Sequence, residues 1–341
     1  MKALVWEAPR VMNLRELPEP VPQPDEVLVR VRYAGICGSE LSGYLGHNAL
    51  RVPPLVMGHE FSGEIAAMGS EAAQQFPELT VGRKVTVNPL ASRIGTEWDR
   101  KGLEHLSPHR QLLGAHRPGA YAEYVAVPAR SAIPLPESVS LRTGALAEPT
   151  ACGVRVAELA GDVAGADCLV IGAGPIGLLV LQNLLLRDAA RVFVAEIDQA
   201  RLDMARELGG VTLNPKEVEV VETVMGATGG AGVVVAVDAV GTAITREQCI
   251  CATMPTGTVI FSGLHEERSV VPAADIIRRE IVVRGAFAYT AANFANAVQL
   301  LEKGLVRLDP WVVEAPLEEG GKWFERLLGG AGGVAKVLLK P

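Results

Sequence analysis

The stretch Leu169-Val170-Ile171-Gly172-Ala173-Gly174-Pro175-Ile176-Gly177 decides the fold class. An apolar run leads into G-x-G-x-x-G, and the apolar pattern then continues at helical length. Each glycine has its own physical reason. Gly172 permits a tight turn, and Gly174 lets the backbone approach a pyrophosphate. Gly177 lets the next helix pack close to the strand, with the helix N-terminus and its Pro175-Ile176 turn facing the phosphates. Glycine spacing alone is a weak signal, and a purely structural turn is the dull reading. The context strengthens it. A second apolar run ends in Glu196, twenty-two residues beyond Gly174, where a carboxylate can accept hydrogen bonds from the adenosine ribose. A 2′-phosphate there would meet Glu196, with Asp198 nearby, so NAD is expected over NADP. Asp198 also reads as a simple helix cap. Arg201 reads either as a contact to the ribose or as a solvated helix residue.

Strands and helices alternate around this stretch. Helical patterns cover 145–159, the segment from 175 and 200–208, and apolar strands cover 168–171, 192–196, 233–237, 259–262 and 281–284. Near-continuous apolar strands indicate a parallel sheet covered on both faces, a doubly wound α/β domain. The run 168–186 is about as long as a membrane span. Its three glycines, proline, Gln182 and Asn183 favour a strand, a turn and a buried helix. Residues 1–145 instead read as β-rich, with short strands at 27–33, 61–68, 84–87 and 121–127 punctuated by proline and glycine. The last fifty residues are mixed, with a helix near 293–303 and a strand near 334–339.

A length of 341 residues suggests two domains, and 49% hydrophobic residues argue against disorder. The formal charge of −7, with no basic run, disfavours nucleic acid and anionic membranes as partners. Five cysteines, two of them nearly adjacent, do not form a disulfide framework, so a reduced, cytoplasmic protein is expected. The first residues lack the long apolar core of a signal peptide.

Three further segments carry chemistry. Cys37-Gly38-Ser39-Glu40 follows a strand, Gly58-His59-Glu60 lies twenty-two residues later, and Ala147-Glu148-Pro149 sits where the β-rich part ends. Singly each has a bland reading as a core cysteine or a solvated polar group. Together Cys37, His59, Glu60 and Glu148 supply one thiolate, one imidazole and two carboxylates, a plausible set for a catalytic zinc. Neighbours on an extended chain point in opposite directions. His59 and Glu60 therefore need a turn or local distortion to face one ion.

These segments, with G-H-E-F-S-G-E, A-L-A-E-P and V-I-G-A-G-P-I-G in this order, resemble the zinc-dependent medium-chain dehydrogenases. The nearest resemblance is to the polyol branch: sorbitol, threonine and galactitol-phosphate dehydrogenases. It spans essentially the whole chain. It implies a GroES-like catalytic domain at 1–146 and 287–341 and a Rossmann NAD-binding domain at 147–286. It also implies oxidation of a secondary alcohol (polyol, sugar alcohol or amino alcohol) with zinc and NAD. By position Cys37, His59 and Glu60 take the zinc-ligand roles, and Glu148 binds zinc directly or through its water. The last two exchange within the polyol branch, so the coordination set stays open. Ser39 takes the role of proton-relay hydroxyl. A homodimer or homotetramer is implied, with the sheet edge near 281–287 as the pairing surface.

The chain also departs from that pattern. Many members of the family it resembles carry a second, structural zinc on four cysteines, whose positions fall here on Arg93, Thr96, Asp99 and Ser107. One zinc per chain is expected, with Arg93 and Asp99 pairing in place of the second. A relay histidine is replaced by Ser42, with His47 as a possible substitute. A substrate-contacting Phe-Arg-Tyr run reads Phe287-Ala288-Tyr289, which leaves Tyr289 to line the pocket or merely to pack. His105, His109 and His116 read as surface residues. Two other classes compete with the leading reading. One is a zinc-free NAD(P)H quinone or enone reductase, and the other is a non-catalytic dinucleotide-binding protein.

Overall fold

The apolar runs of the middle third lie side by side in a computed structural model of the chain, which describes residues 1–91, 95–330 and 332–341. Contacts divide the chain into two units. One comprises Met1–Glu148, Thr290–Gly304 and Asp309–Pro341, and the other comprises Pro149–Tyr289 and Leu305–Leu308.

The second unit is built on six parallel strands in the order Val211–Leu213, Arg191–Ala195, Asp167–Ile171, Val233–Asp238, Thr253–Phe261, Val282–Gly285. Leu169, Val170, Val192, Val194, Val235 and Val237 are fully or almost fully buried, as strands covered on both faces require. Chain order reverses on either side of Asp167–Ile171, a topological switch point at the carboxyl end of a strand. The glycine loop leaves from that end. Gly172 has φ +100°, and a Cβ on Gly177 would stand 1.8 Å from the Gly172 carbonyl oxygen. The helix Pro175–Leu185 opens on Pro175, which is pre-set for a first helical position. This segment is the membrane-length run, and it folds as a short strand plus an 11-residue helix. No helix among the described residues is long and apolar enough to cross a membrane.

The first unit carries a seven-stranded sheet. Its order is Ala132–Pro134, Lys84–Val87, Glu60–Met68, Glu26–Gly35, Lys336–Lys340, Val312–Pro316, and Tyr124–Pro128 also pairs with Glu26–Gly35. A smaller sheet joins Lys2–Ala8 to Val11–Glu16 and Leu55–Val56. One short helix, Gly38–Tyr44, follows the strand Glu26–Gly35, and the helix Gly320–Leu328 buries Trp323 and Phe324. Phe324 meets Tyr44 edge-on at 5.1 Å and Tyr121 at 6.0 Å between ring centroids.

Several boundaries differ from the sequence reading. The strand expected at 121–127 starts at Tyr124. Ala120 and Tyr121 are instead drawn onto the 57–58 segment, with Ala120 N–H donating to Gly58 O and Tyr121 N–H to Met57 O, both at 2.9 Å. The helix expected from 145 begins at Ala147, after a separate turn Leu141–Gly144 capped by Ser140. The last interior strand starts at Thr253 rather than 259.

Phe324 joins the C-terminal helix to two segments that carry site residues. Phe324→Ala should cost about 3–5 kcal/mol. Urea unfolding followed by tryptophan fluorescence checks this. A midpoint unchanged from the parent would show that these ring contacts are not holding the unit together.

Candidate active site

Strand register brings the metal-type residues together. Glu26–Gly35 and Glu60–Met68 run antiparallel with Gly35 opposite Glu60, so Cys37, two residues on, stands beside the start of the partner strand. Gly35 makes this possible, since a Cβ there would meet Glu60 Oε2 at 2.3 Å. Gly58, with φ +104°, turns the chain just before His59, where the strand Glu60–Met68 begins. A Cβ on Gly58 would also lie 2.7 Å from the Tyr121 amide nitrogen. Ligand atoms of Cys37, His59 and Glu60 all fall within 4.8 Å of one another.

Glu40 organises this group, and the sequence reading did not single it out. It sits fully buried in the first turn of Gly38–Tyr44. Its Oε1 accepts from Gly58 N–H and contacts His59 Nδ1, each at 2.8 Å. Its Oε2 accepts from Cys37 N–H at 3.1 Å and from the Tyr121 hydroxyl. Burial pushes the Glu40 carboxyl upward, but the His59 ring and the Arg51 guanidinium outweigh it and hold the group at about 2. Burial pushes His59 down, and the charges of Glu40 and Cys37 reverse this, leaving it well above its ordinary value. With Nδ1 turned to a carboxylate, Nε2 is the nitrogen left for a metal, as in carboxylate–histidine–metal arrangements. The visible signal was the Cys-x-x-Glu spacing at a helix start, where the third residue reaches back to the cap amide.

Lys336 closes the site from the far end of the unit. Its buried ammonium donates to Glu60 Oε1 at 2.8 Å and to Ile36 O at 3.1 Å. It lies 2.7 Å from Glu60 Oε2 as well, yet that oxygen is buried and accepts no hydrogen bond. Burial lowers the Lys336 pKa, and the charges of Glu60 and Cys37 more than offset it. A buried carboxylate next to a thiol and an imidazole held by a second carboxylate is a donor set that fits a zinc ion.

The glycine loop offers a second site, within the other unit. A Cβ on Gly174 would meet nothing within 4 Å, so the backbone there is open to a ligand, and the first-turn amides of Pro175–Leu185 lack helical acceptors. Glu196 Oε2 accepts from Ala173 N–H at 2.9 Å, and its Oε1 accepts from Ile197 and Asp198 N–H at 2.8 and 3.1 Å. Asp198 caps the following helix by accepting from Arg201 N–H at 3.0 Å. The Arg201 guanidinium lies 4.0 Å from Glu196.

Residues 23–137 match the profile of the alcohol dehydrogenase GroES-like domain, and residues 175–303 match that of zinc-binding dehydrogenases. (R,R)-butanediol dehydrogenase of Bacillus subtilis is 30% identical over 92% of this chain and 92% of its own. Sorbitol dehydrogenase of Ovis aries is 32% identical over 99% of this chain and 96% of its own. The chain belongs to the zinc-dependent medium-chain dehydrogenases. A Sinorhizobium meliloti protein described as a zinc-binding dehydrogenase, solved with NADP bound, superposes with a TM-score of 0.92 at 30% identity, covering 100% of this chain and 99% of its own. The protein is thus an enzyme of the alcohol dehydrogenase class, with the α/β architecture expected from the glycine loop.

Other residues of this dehydrogenase take varied places. Glu148 is buried in the first turn of Ala147–Ala160, outside the three-residue group, although its charge acts on Lys336. His47 is exposed, just after the turn at 45–46. Tyr289 is only 1% exposed and follows Ala288, which has φ +48°. In the segment to which the sequence resemblance assigns a second zinc, Thr96 accepts from Asp99 N–H at 3.2 Å, Asp99 accepts from Gly95 N–H at 2.8 Å, and Ser107 accepts from His109 N–H at 3.3 Å. Arg93, the expected partner of Asp99, lies outside the described residues. His109 and His116 are exposed, but His105 is not. It is 1% exposed, because the single-turn helix Glu104–Leu106 directs its middle residue inward while Leu106 takes the outer side.

Glu40→Gln keeps the size of the side chain and removes its charge. Zinc affinity should fall about 10–100-fold, read by competition with a chromophoric chelator. The acid limb of stability should change too. A carboxyl ordinarily at 4.5 and held at about 2 contributes stability above 4.5 that is lost as the pH falls toward 2. The variant should lose that component, and identical acid-unfolding curves for parent and variant would refute it.

Proposed function

We propose that this chain oxidises secondary alcohols (a polyol, sugar alcohol or amino alcohol) with NAD, or runs the reverse reduction, using one zinc per chain. The observation that carries this reading is the convergence of Cys37, His59 and Glu60 within 4.8 Å. These three hold the ion, with Glu148 as a direct or water-linked carboxylate. The catalytic part is assigned to 1–146 and 287–341, and the NAD-binding part to 147–286.

Bound zinc supplies a Lewis acid for the alcohol oxygen, and bound NAD supplies the hydride acceptor. The chain's own residues do the rest. Ser39, next to the ligand Cys37, takes the alcohol proton and passes it outward. Gly172, Gly174, Pro175, Ile176 and Gly177 receive the pyrophosphate, and Arg201 flanks the ribose. Glu196 accepts from the ribose hydroxyls. Its two oxygens are already tied to three backbone amides, so it cannot swing away from a 2′-phosphate. This supports NAD here even though the Sinorhizobium meliloti neighbour carries NADP. Tyr289 and His47 are minor candidates for substrate contact. The donor group disfavours a zinc-free reductase, which has no use for it.

Relatives named for butanediol and sorbitol guide the choice of substrates. A panel of 2,3-butanediol stereoisomers, sorbitol, threonine and galactitol phosphate with NAD and NADP, read at the absorbance of reduced nicotinamide, tests the reaction class. Turnover with none of them, or only with quinones, would refute it. Glu196→Ala should narrow the preference for NAD over NADP. Cys37→Ser should lose zinc and turnover yet retain NADH binding, and elemental analysis should find about one zinc in the parent. An exposed edge strand, Val282–Gly285, with Val282 and Val283 outward, supports a homodimer or homotetramer. None of the five cysteines forms a disulfide among the described residues, in keeping with a reducing, cytoplasmic location.

A further inference from the structure

Ser39 does not stand alone beside Cys37. Arg51, twelve residues on and only 4% exposed, is folded back over it. Nη1 of Arg51 donates to the Ser39 carbonyl oxygen at 3.1 Å, Nη2 donates to Ser39 Oγ at 3.3 Å, and Nε donates to Gly114 O at 3.2 Å. Ser39 Oγ in turn lies 3.5 Å from Cys37 Sγ as a donor. Room for the arginine stem comes from Gly43, where a Cβ would stand 2.6 Å from Arg51 Cδ. Gly114 itself packs on Gly58, next to His59, since a Cβ on it would lie 2.9 Å from the Gly58 amide nitrogen. One side chain therefore ties the relay hydroxyl to the segment that carries the imidazole.

A guanidinium has five donors, no acceptor, and stays charged. It cannot receive a proton from Ser39. It can only occupy one of the two lone pairs on Oγ, which leaves the other for an incoming alcohol. Burying such a cation is costly unless it is paired and hydrogen-bonded. Here three oxygens accept from it and the buried Glu40 attracts it. Neither Ser42, at the relay-histidine position, nor exposed His47 takes this place at Oγ.

We propose that Arg51 is a positioning residue for proton release, acting through Ser39 by pinning its oxygen so that the hydroxyl proton turns between Cys37 Sγ and water. In the step it serves, the alcohol O–H bond breaks and its proton joins the open lone pair of Ser39. The original Ser39 proton leaves to water, and Arg51 keeps all of its protons. The inference rests on the proposed dehydrogenase reading, and specifically on Ser39 as relay.

The test is a double-mutant cycle of Arg51→Met and Arg51→Lys, each with and without Ser39→Ala, with two readouts. The first needs no substrate: Co²⁺ alone is bound in place of zinc and the thiolate-to-cobalt absorption band is recorded. Loss of the Ser39 hydrogen bond to sulfur should move the band to longer wavelength in Ser39→Ala. Arg51→Met should move it the same way, and the double variant should add nothing. The second is kcat with the fastest alcohol of the panel. Arg51→Met should lower it about 10–100-fold. The KM for NAD should hold, Arg51→Lys should recover part of the loss, and within Ser39→Ala the further effect should stay within about twofold. If Arg51→Met does not fold, Arg51→Lys decides the cycle. A full-sized Arg51 effect in the Ser39→Ala background makes the arginine a structural brace and overturns the proposal. So does a Ser39→Ala variant with unaltered band and kcat. Neither result touches the dehydrogenase reading, which fails only if the parent, zinc-loaded, oxidises no alcohol or Cys37→Ser still turns over.

Discussion

Four donors from three separate stretches converge on the buried carboxylate of Glu40: the amides of Cys37 and Gly58, the His59 ring and the Tyr121 hydroxyl. A lone carboxylate at full burial would cost several kcal/mol. It is tolerated because both oxygens are donated to, and for the same reason none of the donors is free to drift. The interaction that caps the helix Gly38–Tyr44 is also the one that turns His59 Nε2 inward. Local helix chemistry and ligand orientation are therefore one constraint. Tyr121 pays into it from a loop held against Gly58, and Phe324 packs on that tyrosine ring.

Charge balance extends this constraint. Two buried acids, Glu40 and Glu60, each face a buried cation, Arg51 and Lys336 respectively. Lys336 hydrogen bonds to one oxygen of Glu60 and to the Ile36 carbonyl, and its ammonium also lies 2.7 Å from the second oxygen. A site holding a thiol, an imidazole and a carboxylate would, without such cations, gather more negative charge than a buried pocket sustains. Lys336 supplies part of that balance before any metal arrives, and it does so from a strand about three hundred residues from Glu60's neighbour Ile36.

What could be read from sequence was what is local. The glycine loop, its strand and its helix are consecutive in the chain, from Asp167 to Leu185, and the reasons for the glycines reappear as a positive φ at Gly172, open space at Gly174 and a 1.8 Å approach at Gly177. The ligand types were also legible: Cys37, His59 and Glu60 do bring their ligand atoms together, where the strand Glu60–Met68 begins just after His59. The long-range partners were not. Nothing in Lys336, Arg51 or Tyr121 as letters marks them as neighbours of Cys37, because strand pairing and a loop crossing decide that. His105 misled for a related reason: a histidine among polar residues reads as solvated until a single helical turn is seen to point it inward. The pair Lys2–Ala8 and Val11–Glu16 carries no clear sequence signal, because Ala3–Trp6 is buried without interruption, which hides the alternation that marks a half-buried strand.

A motif assigns one role to an acidic residue, and both units give theirs two. Glu196 stands where a ribose carboxylate is expected, yet one of its oxygens holds the Ala173 amide inside the glycine loop while the other holds the turn that follows its own strand. The loop's shape and the ribose contact therefore share a side chain, much as the helix cap and the imidazole orientation share Glu40. Replacing either acid changes backbone geometry as well as a ligand contact. A loss of binding after such a replacement cannot by itself be assigned to the lost contact. This is why the coupled variants and the metal-only spectroscopy carry more information about this chain than single substitutions read by turnover.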